Sequence, residues 1–495
     1  MRESKKNKEE IGSDFEKLSV SSSLGVIKEN NSFNSNNLSK PSKQQIIKQA
    51  FQFHSKGKIL EAAKLYQYFI NQGFNDHRVF SNFGIILKDL GKLKEAEALF
   101  RKAIEIKPDY AQAYSNMGII LKDLGKLKEA EFSFRKAIEI KPDYAQAYFN
   151  LGNIMKDLGK LKEAEFSYCK AIEIKPDYAQ AYSNLGNIMK DLGKLKEAEF
   201  SYCKAIELKP KFTDAIMNRW LLFFDQGKFD LALKDAESCD TKRSRACTLE
   251  TLYALGRIDE VYKKIEKTSK LDDTNIRLAA FSSFISEQEK KDTSNNFCRN
   301  PLKFLYFSNL KFHHKDYAEF IKKIINELDS IKTIWEPHKK ATHGGFQTPV
   351  HINLFSNPSK NISILKSIIL NELDAYYLKF EKELCSYIQK WPSNRNLKAW
   401  HVILKKQGYQ EAHIHPAGWL SGVIYLKVVP PLGMNEGAIE FSLNGRNYSN
   451  INSPKLIHRP EAGDIVLFPS SLHHRTIPFT SDFDRIVMAF DLLPN

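Results

Sequence analysis

From about residue 45 the sequence repeats itself every 34 residues. The stretch AYSNMGIILKDLGKLKEAEFSFRKAIEIKPDYAQ, starting at Ala113, is followed by AYFNLGNIMKDLGKLKEAEFSYCKAIEIKPDYAQ, starting at Ala147. A third near-copy starts at Ala181, a close relative at Val79, and looser ones near residues 45 and 215. Within one copy, Tyr148, Leu151, Gly152 and Met155 fall at i, i+3, i+4 and i+7, an apolar stripe at helical spacing. Gly159 ends that helix. A second stripe follows in Ala164, Tyr168, Ala171 and Ile172, before Pro176 blocks further helix. Small Gly152 and Ala164 let the two helices approach closely. Each pair leaves an apolar face that only the next pair covers, so the units must stack into a solenoid.

The period and the paired helices resemble the tetratricopeptide repeat. The resemblance implies an all-α superhelix with a concave face that takes a protein or peptide. One asparagine recurs per repeat: Asn82, Asn116, Asn150, Asn184 and Asn218. Either these amides fill a polar helix-surface position, or they form a concave-face ladder for an extended peptide, as in similar repeats of glycosyltransferases. An amide both donates and accepts, which suits a peptide backbone.

The chain is 495 residues long, more than one core holds, so several domains are expected. The net charge of +15 raises the question of nucleic acid. Its lysines are instead spread through mixed strings such as KDLGKLKE, the composition of a solvated helix face, which argues against a nucleic-acid partner. The six cysteines form no CxxC pair and fit a reducing cytoplasm. No signal-peptide run follows the N-terminus, and no stretch approaches the roughly 18 apolar residues of a membrane span.

Residues 1–42, rich in Ser, Asn, Lys and Glu, read as a disordered leader. Residues 43–248 read as the solenoid, and 249–299 as capping helices and a linker ending in the polar SEQEKKDTSNNFCRN. Residues 300–495 change character. Asp316 to Ile331 and Ile362 to Ile388 carry helical periodicity; after Trp400 come about eight short β-like runs separated by Gly, Pro and Asn. The fold class expected is α+β multidomain, an all-α superhelix followed by a jelly roll with N-terminal helices.

His413 and His415 lie two apart on a predicted strand, so both rings face one side and Ile414 the other. His473-His474 follows DIVLFPSSL, and Arg485 comes eleven residues after His474. This order resembles the iron(II)- and 2-oxoglutarate-dependent oxygenases, which have the double-stranded β-helix fold. The stretches HIHPAGWLSGVIYL, GDIVLFPSSLHHRTIPF and DRIVMAF are especially similar to a bacterial and phage group of that superfamily. The resemblance implies Fe(2+) as cofactor and 2-oxoglutarate as co-substrate. His413 matches the first ligand and His474 the second. Arg485 matches the anchor of the distal carboxylate, with Tyr425 beside it. His473 is expected to point away. No catalytic residue beyond the metal ligands is implied.

The departure is His415, where the superfamily has a carboxylate. Either His415 is a third ligand, or only His413 and His474 bind metal, or His415 replaces His413 as the first ligand. A lone histidine on a strand is ordinarily a packing or surface residue; the spacing of the whole set is what carries this reading. His343, His351, His401 and His458 are left as packing or surface residues. Imidazoles bind metal only when unprotonated, so binding is expected to fail near the ordinary histidine value of about 6.5.

The expected function is a hydroxylase whose repeats recruit a protein or peptide substrate or partner. Two rivals stand beside it: a repeat scaffold with a non-catalytic jelly roll, and a three-histidine cupin-like dioxygenase independent of 2-oxoglutarate. Arg485 and Tyr425 favour the first reading over both.

Overall fold

The computed structural model describes residues 41–337, 340–350, 352–430 and 433–495. The leader expected over residues 1–42 lies outside them except for Pro41 and Ser42, and His351 lies outside them too. The chain forms two compact units, one up to Pro210 and one from Lys211 to Asn495.

The first unit holds ten helices among its described residues. They are α1 (Lys43–Ser55), α2 (Ile59–Asn71), α3 (His77–Asp89), α4 (Leu93–Ile106), α5 (Ala111–Asp123), α6 (Leu127–Ile140), α7 (Ala145–Asp157), α8 (Leu161–Ile174), α9 (Ala179–Asp191) and α10 (Leu195–Leu208). Helix α1 starts where a capping box forms: the Ser42 hydroxyl accepts from the Gln45 amide, and the Gln45 side chain accepts from the Ser42 amide. Between α7 and α8 the turn closes at Gly159, whose φ of 74° only glycine adopts cheaply. The two apolar stripes meet inside each pair. An added Cβ at Gly118, Gly152 or Gly186 would lie 2.6–2.7 Å from the ring of Phe134, Tyr168 or Tyr202 respectively. Those rings are buried, as are Ala164 and Ala171. The sequence repeats, and the same glycine-on-ring contact repeats with it.

The second unit opens with helices that continue the paired pattern: α11 (Thr213–Asp225), α12 (Phe229–Glu237), α13 (Lys242–Ala254), α14 (Ile258–Leu271) and α15 (Ile276–Glu289). The polar stretch over residues 286–300, read as a linker, is not a free tether. Phe297 and Cys298 are fully buried, and the Asn296 and Phe297 carbonyls accept from the Ser386 and Tyr387 amides. Polar composition concealed two apolar residues that reach the core.

Strands β1 (Tyr306–Asn309), β2 (Ile334–Trp335), β3 (Thr342–Gln347), β4 (Leu397–His413), β5 (Leu420–Lys427), β6 (Ile439–Ser442), β7 (Lys455–His458), β8 (Asp464–Pro469), β9 (His473–Thr476) and β10 (Arg485–Leu492) follow. All pair antiparallel, in the order β1-β8-β5-β10-β4-β9-β6-β7, with β3 also on β4. Strand β4 is the hinge of this order. Its residues 397–404 pair with β10, whereas 410–413 pair with β9. The bend falls at Gln407, with φ of 61°, and Gly408, where a Cβ would meet the Gly344 carbonyl oxygen at 2.6 Å. One strand thus joins the β10 side and the β9 side of the ten-stranded sheet.

Helices α16 (Tyr317–Asp329) and α17 (Lys360–Phe380) cover the outer face, packing Ile324, Leu365, Ile369 and Leu373 on Ile424, Leu467, Met488 and Phe490. The inner face carries Val402, Leu404, Tyr425, Phe441, Phe468 and Val487. Phe281 and Phe284 of α15 belong to that same inner cluster through Tyr448, with ring centroids 5.0 and 4.8 Å away. The Asn447 amide also donates to Glu250 of α13 at 2.7 Å.

Burying one phenylalanine is worth roughly 1.5–3 kcal/mol, so the jelly roll depends on α13–α15. A fragment of residues 211–495 is expected to melt in one cooperative transition. A fragment of 300–495 should aggregate or lack that transition; a monomeric, cooperatively melting 300–495 would show that the helices are dispensable.

Candidate metal centre

Three histidines converge where β4 ends. His413 is its last residue and stands directly opposite His474 of β9 in the strand register. His415 lies just beyond the strand, in the turn entered at Pro416, and not on the strand as the sequence led us to expect. Proline cannot donate to a ladder, so pairing stops there. Alternation nevertheless persists, because Ile414 packs into the helix-covered core while the flanking rings face each other. Ring centroids are 4.3 Å apart for His413 and His474, 5.2 Å for His413 and His415, and 5.1 Å for His415 and His474. One ring nitrogen from each lies within 4.8 Å of the others.

The second nitrogen of each ring is already engaged by an acceptor. His413 Nδ1 donates to the Glu411 carbonyl at 2.7 Å, and His474 Nδ1 to the Leu472 carbonyl at 3.2 Å. His415 Nδ1 donates to Asp491 Oδ1 at 2.5 Å. These partners fix the tautomers and leave three Nε2 lone pairs for a cation. Burial, with the neighbouring His415 and the like charge it would add, pushes the His413 pKa down to about 4. Burial and both other rings push His474 well below its ordinary value. Three neutral nitrogens suit a transition metal such as iron(II).

His473 alternates away from the cluster and sets its ring edge-on to Tyr448, 5.7 Å between centroids. His401 is buried on the outer face and bonds Thr348 Oγ1 at 2.8 Å. His343 stacks on Tyr409, and His458 pairs with Asp464.

Arg485 opens β10 with its side chain 2% exposed. Because Ile486, Met488 and Phe490 pack outward, Arg485, Val487 and Asp491 share the inner face. The guanidinium lies over the Tyr425 ring, 5.0 Å from its centroid. Its Nε and Nη1 are buried without a hydrogen-bond partner among the described residues. Burial lowers the Arg485 pKa and raises that of Tyr425 to about 12. A buried cation with idle donors is costly by several kcal/mol unless an anion meets it. That is the fit a carboxylate of 2-oxoglutarate requires.

Residues 398–491 match the family described as "Putative 2OG-Fe(II) oxygenase". Residues 76–143, 133–166, 152–193 and 179–212 match tetratricopeptide-repeat families. Tetratricopeptide repeats and a 2OG-Fe(II) oxygenase-type domain share this one chain. Among solved structures, the chain is similar to Pseudomonas aeruginosa pilF at 18% identity, covering 43% of this chain and 97% of that one with a TM-score of 0.37. It is also similar to YrrB, titled a TPR protein with an unusual peptide-binding site, at 22% identity over 39% and 98% with a TM-score of 0.33. A third is MamA from Desulfovibrio magneticus RS-1, at 21% identity over 34% and 96% with a TM-score of 0.32. No curated protein matches the chain. Among the described residues, no helix is long and apolar enough to cross a membrane.

Reasoning from sequence missed the groups behind His415 of the C-terminal domain. Asp491 is buried, and Ser421 Oγ donates to its Oδ1 at 2.7 Å while meeting Ser470 Oγ at 2.8 Å. The available signal was a single carboxylate inside the apolar run RIVMAFDLL. In the repeats, the asparagine series is not uniform. Asn82 bonds Tyr66, and Asn184 Nδ2 donates to Asn153 Oδ1 at 3.0 Å. The Nδ2 atoms of Asn116 and Asn150 are buried without a partner among the described residues. Asn218 lies half-buried on α11, in the second unit.

Two outcomes follow from these environments. Burial lowers the pKa of His413 to about 4 and that of His474 well below its ordinary value, so these two rings stay unprotonated below pH 6.5 and a bound metal should survive dialysis at pH 5.5. Metal loss centred near pH 6.5 would show that burial does not govern the site. In the repeats, Asn184→Ala removes a part-buried bond to Asn153 and should cost about 1 kcal/mol, whereas Asn150→Ala removes an unpartnered Nδ2 and only an exposed 3.3 Å bond from Gln146 to its Oδ1, and should cost less. Thermal melts showing equal losses would make both positions structural.

Proposed function

We propose that the C-terminal domain is an active iron(II)- and 2-oxoglutarate-dependent oxygenase, a hydroxylase, and that the repeats recruit its protein or peptide substrate. The observation that carries this reading is the buried, idle guanidinium of Arg485 on the inner face of the barrel that also carries the three histidines. A scaffold has no use for such a cation, and a dioxygenase that ignores 2-oxoglutarate has no anion to offer it. We place this chemistry in a reducing cytoplasm, where the six cysteines stay free.

His413, His415 and His474 would hold the metal through Nε2. When bound, iron(II) with 2-oxoglutarate supplies the oxidation of a C–H bond by dioxygen. Arg485 takes the distal carboxylate of 2-oxoglutarate, and Tyr425 seats the guanidinium from below. Phe468 and Phe441, with ring centroids 4.6 and 6.3 Å from that of His474, exclude water on the inner side. Asn116 and Asn150, whose amides have hydrogens to donate, are the ladder positions assigned to a peptide backbone on the concave face.

Removing a buried charge-assisted pair costs about 2–5 kcal/mol. Arg485→Ala should therefore raise the apparent constant for 2-oxoglutarate roughly thirty-fold or more, with iron(II) affinity unchanged and Arg485→Lys intermediate. Anaerobic titration with iron(II) and 2-oxoglutarate, read by the visible band of their chelate, measures both. Equal 2-oxoglutarate affinity in variant and parent would remove Arg485 from the site. His474→Ala should abolish metal binding and turnover together; retained metal would return the domain to the scaffold reading.

A further inference from the structure

We propose that Asp491, held by Ser421, is the positioning residue that makes His415 a metal ligand, and so restores one shell outward the carboxylate that His415 displaced. This rests on the oxygenase reading above. Asp491 and Ser421 stand directly opposite each other in the register of β10 and β5, both facing inward. One carboxylate oxygen, Oδ1, gathers two donors, His415 Nδ1 at 2.5 Å and Ser421 Oγ at 2.7 Å. Ser421 Oγ also lies 3.0 Å from His415 Nδ1 and 2.8 Å from Ser470 Oγ, so the three polar groups close on one another.

The backbone around them is locked. The His415 amide donates to the Ser470 carbonyl at 3.1 Å, the Gly418 amide to the His415 carbonyl at 2.9 Å, and the Trp419 amide to the Leu492 carbonyl at 2.7 Å. Gly418 leaves the room: a Cβ there would come within 2.6 Å of Ser470 Oγ and 3.0 Å of Asp491 Cγ. The arrangement determines which ring nitrogen carries the hydrogen. Asp491 accepts from Nδ1, so the lone pair sits on Nε2, toward His413 and His474. It also settles the charge. A cation held by three neutral imidazoles lacks the negative charge of a two-histidine, one-carboxylate site. With the Asp491 carboxylate counted through the His415 ring, the two sites carry the same net charge, and the ring becomes a stronger donor.

The test titrates cobalt(II) alone into metal-free full-length protein and follows its visible absorption. The parent should bind. Asp491→Asn keeps one acceptor oxygen for Nδ1–H but removes the negative charge behind the ring, so its cobalt(II) affinity should fall roughly 10–100-fold, and its band should shift. Ser421→Ala, the milder change, should lower affinity less and in the same direction. Melting of the metal-free proteins separates loss of fold from loss of ligand: the proposal expects the Ser421→Ala midpoint to stay near that of the parent while its affinity drops. Parent-like affinity and spectrum in both variants would overturn the proposal and leave the oxygenase reading standing. Failure of the parent itself to bind would overturn both.

Discussion

Strand β10 is the member on which the second unit depends, because it is buried on both faces at once. Its even-numbered side chains, Ile486, Met488 and Phe490, hold helices α16 and α17 to the barrel. Its odd-numbered ones, Arg485, Val487 and Asp491, face the interior. A slip of one residue would exchange these sets, driving a guanidinium and a carboxylate into the helix-packed core and stranding the apolar groups around the site. Register is therefore enforced by hydrophobic burial, and the polar groups ride on it. Pairing with β5 transmits the same register to Ser421, whereas His413 takes its register from β9 beyond the bend of β4.

What the sequence revealed tracks how local each signal is. The 34-residue period announces itself because every repeat faces the same packing problem, and the glycine opposite each aromatic ring is visible as a recurring letter. His413, His415 and His474 were legible as a set because a strand's period of two makes His-x-His a shared face. Asp491 was not, since its role depends on which residue lies across from it in β5, and register between distant strands leaves no local mark. The stretch over residues 286–300 was misjudged for a related reason. Its average polarity is that of a tether, yet Phe297, packed on Trp419 and Tyr387, and Cys298 beside it commit it to the core.

Buried charges among the described residues are resolved in different ways. Arg219 and Asp235 satisfy each other through two hydrogen bonds in α11 and α12. Glu372, buried in α17, is met by Ser308 and His313. Arg485 differs: among the described residues its Nε and Nη1 have no hydrogen-bond partner, and its guanidinium lies against Tyr425. Arg219 and Asp235 close on each other, whereas Glu372 Oε2 and two donors of Arg485 have no hydrogen-bond partner among the described residues.

The near-identity of the central repeats has a further consequence. The contact of Gly152 with Tyr168 and that of Gly186 with Tyr202 are interchangeable, as are the salt links Lys160–Glu131 and Lys194–Glu165 that tie successive units. To a refolding chain, these sites are degenerate: α7 finds in α10 almost the same partner as in α8. Loop closure favours the adjacent helix only weakly, since entropy grows with the logarithm of separation. The native pairing in the middle of the array is thus decided mainly by proximity and order of synthesis, with little help from chemical distinction. Vectorial emergence from the ribosome, one hairpin at a time, supplies the discrimination that the side chains lack.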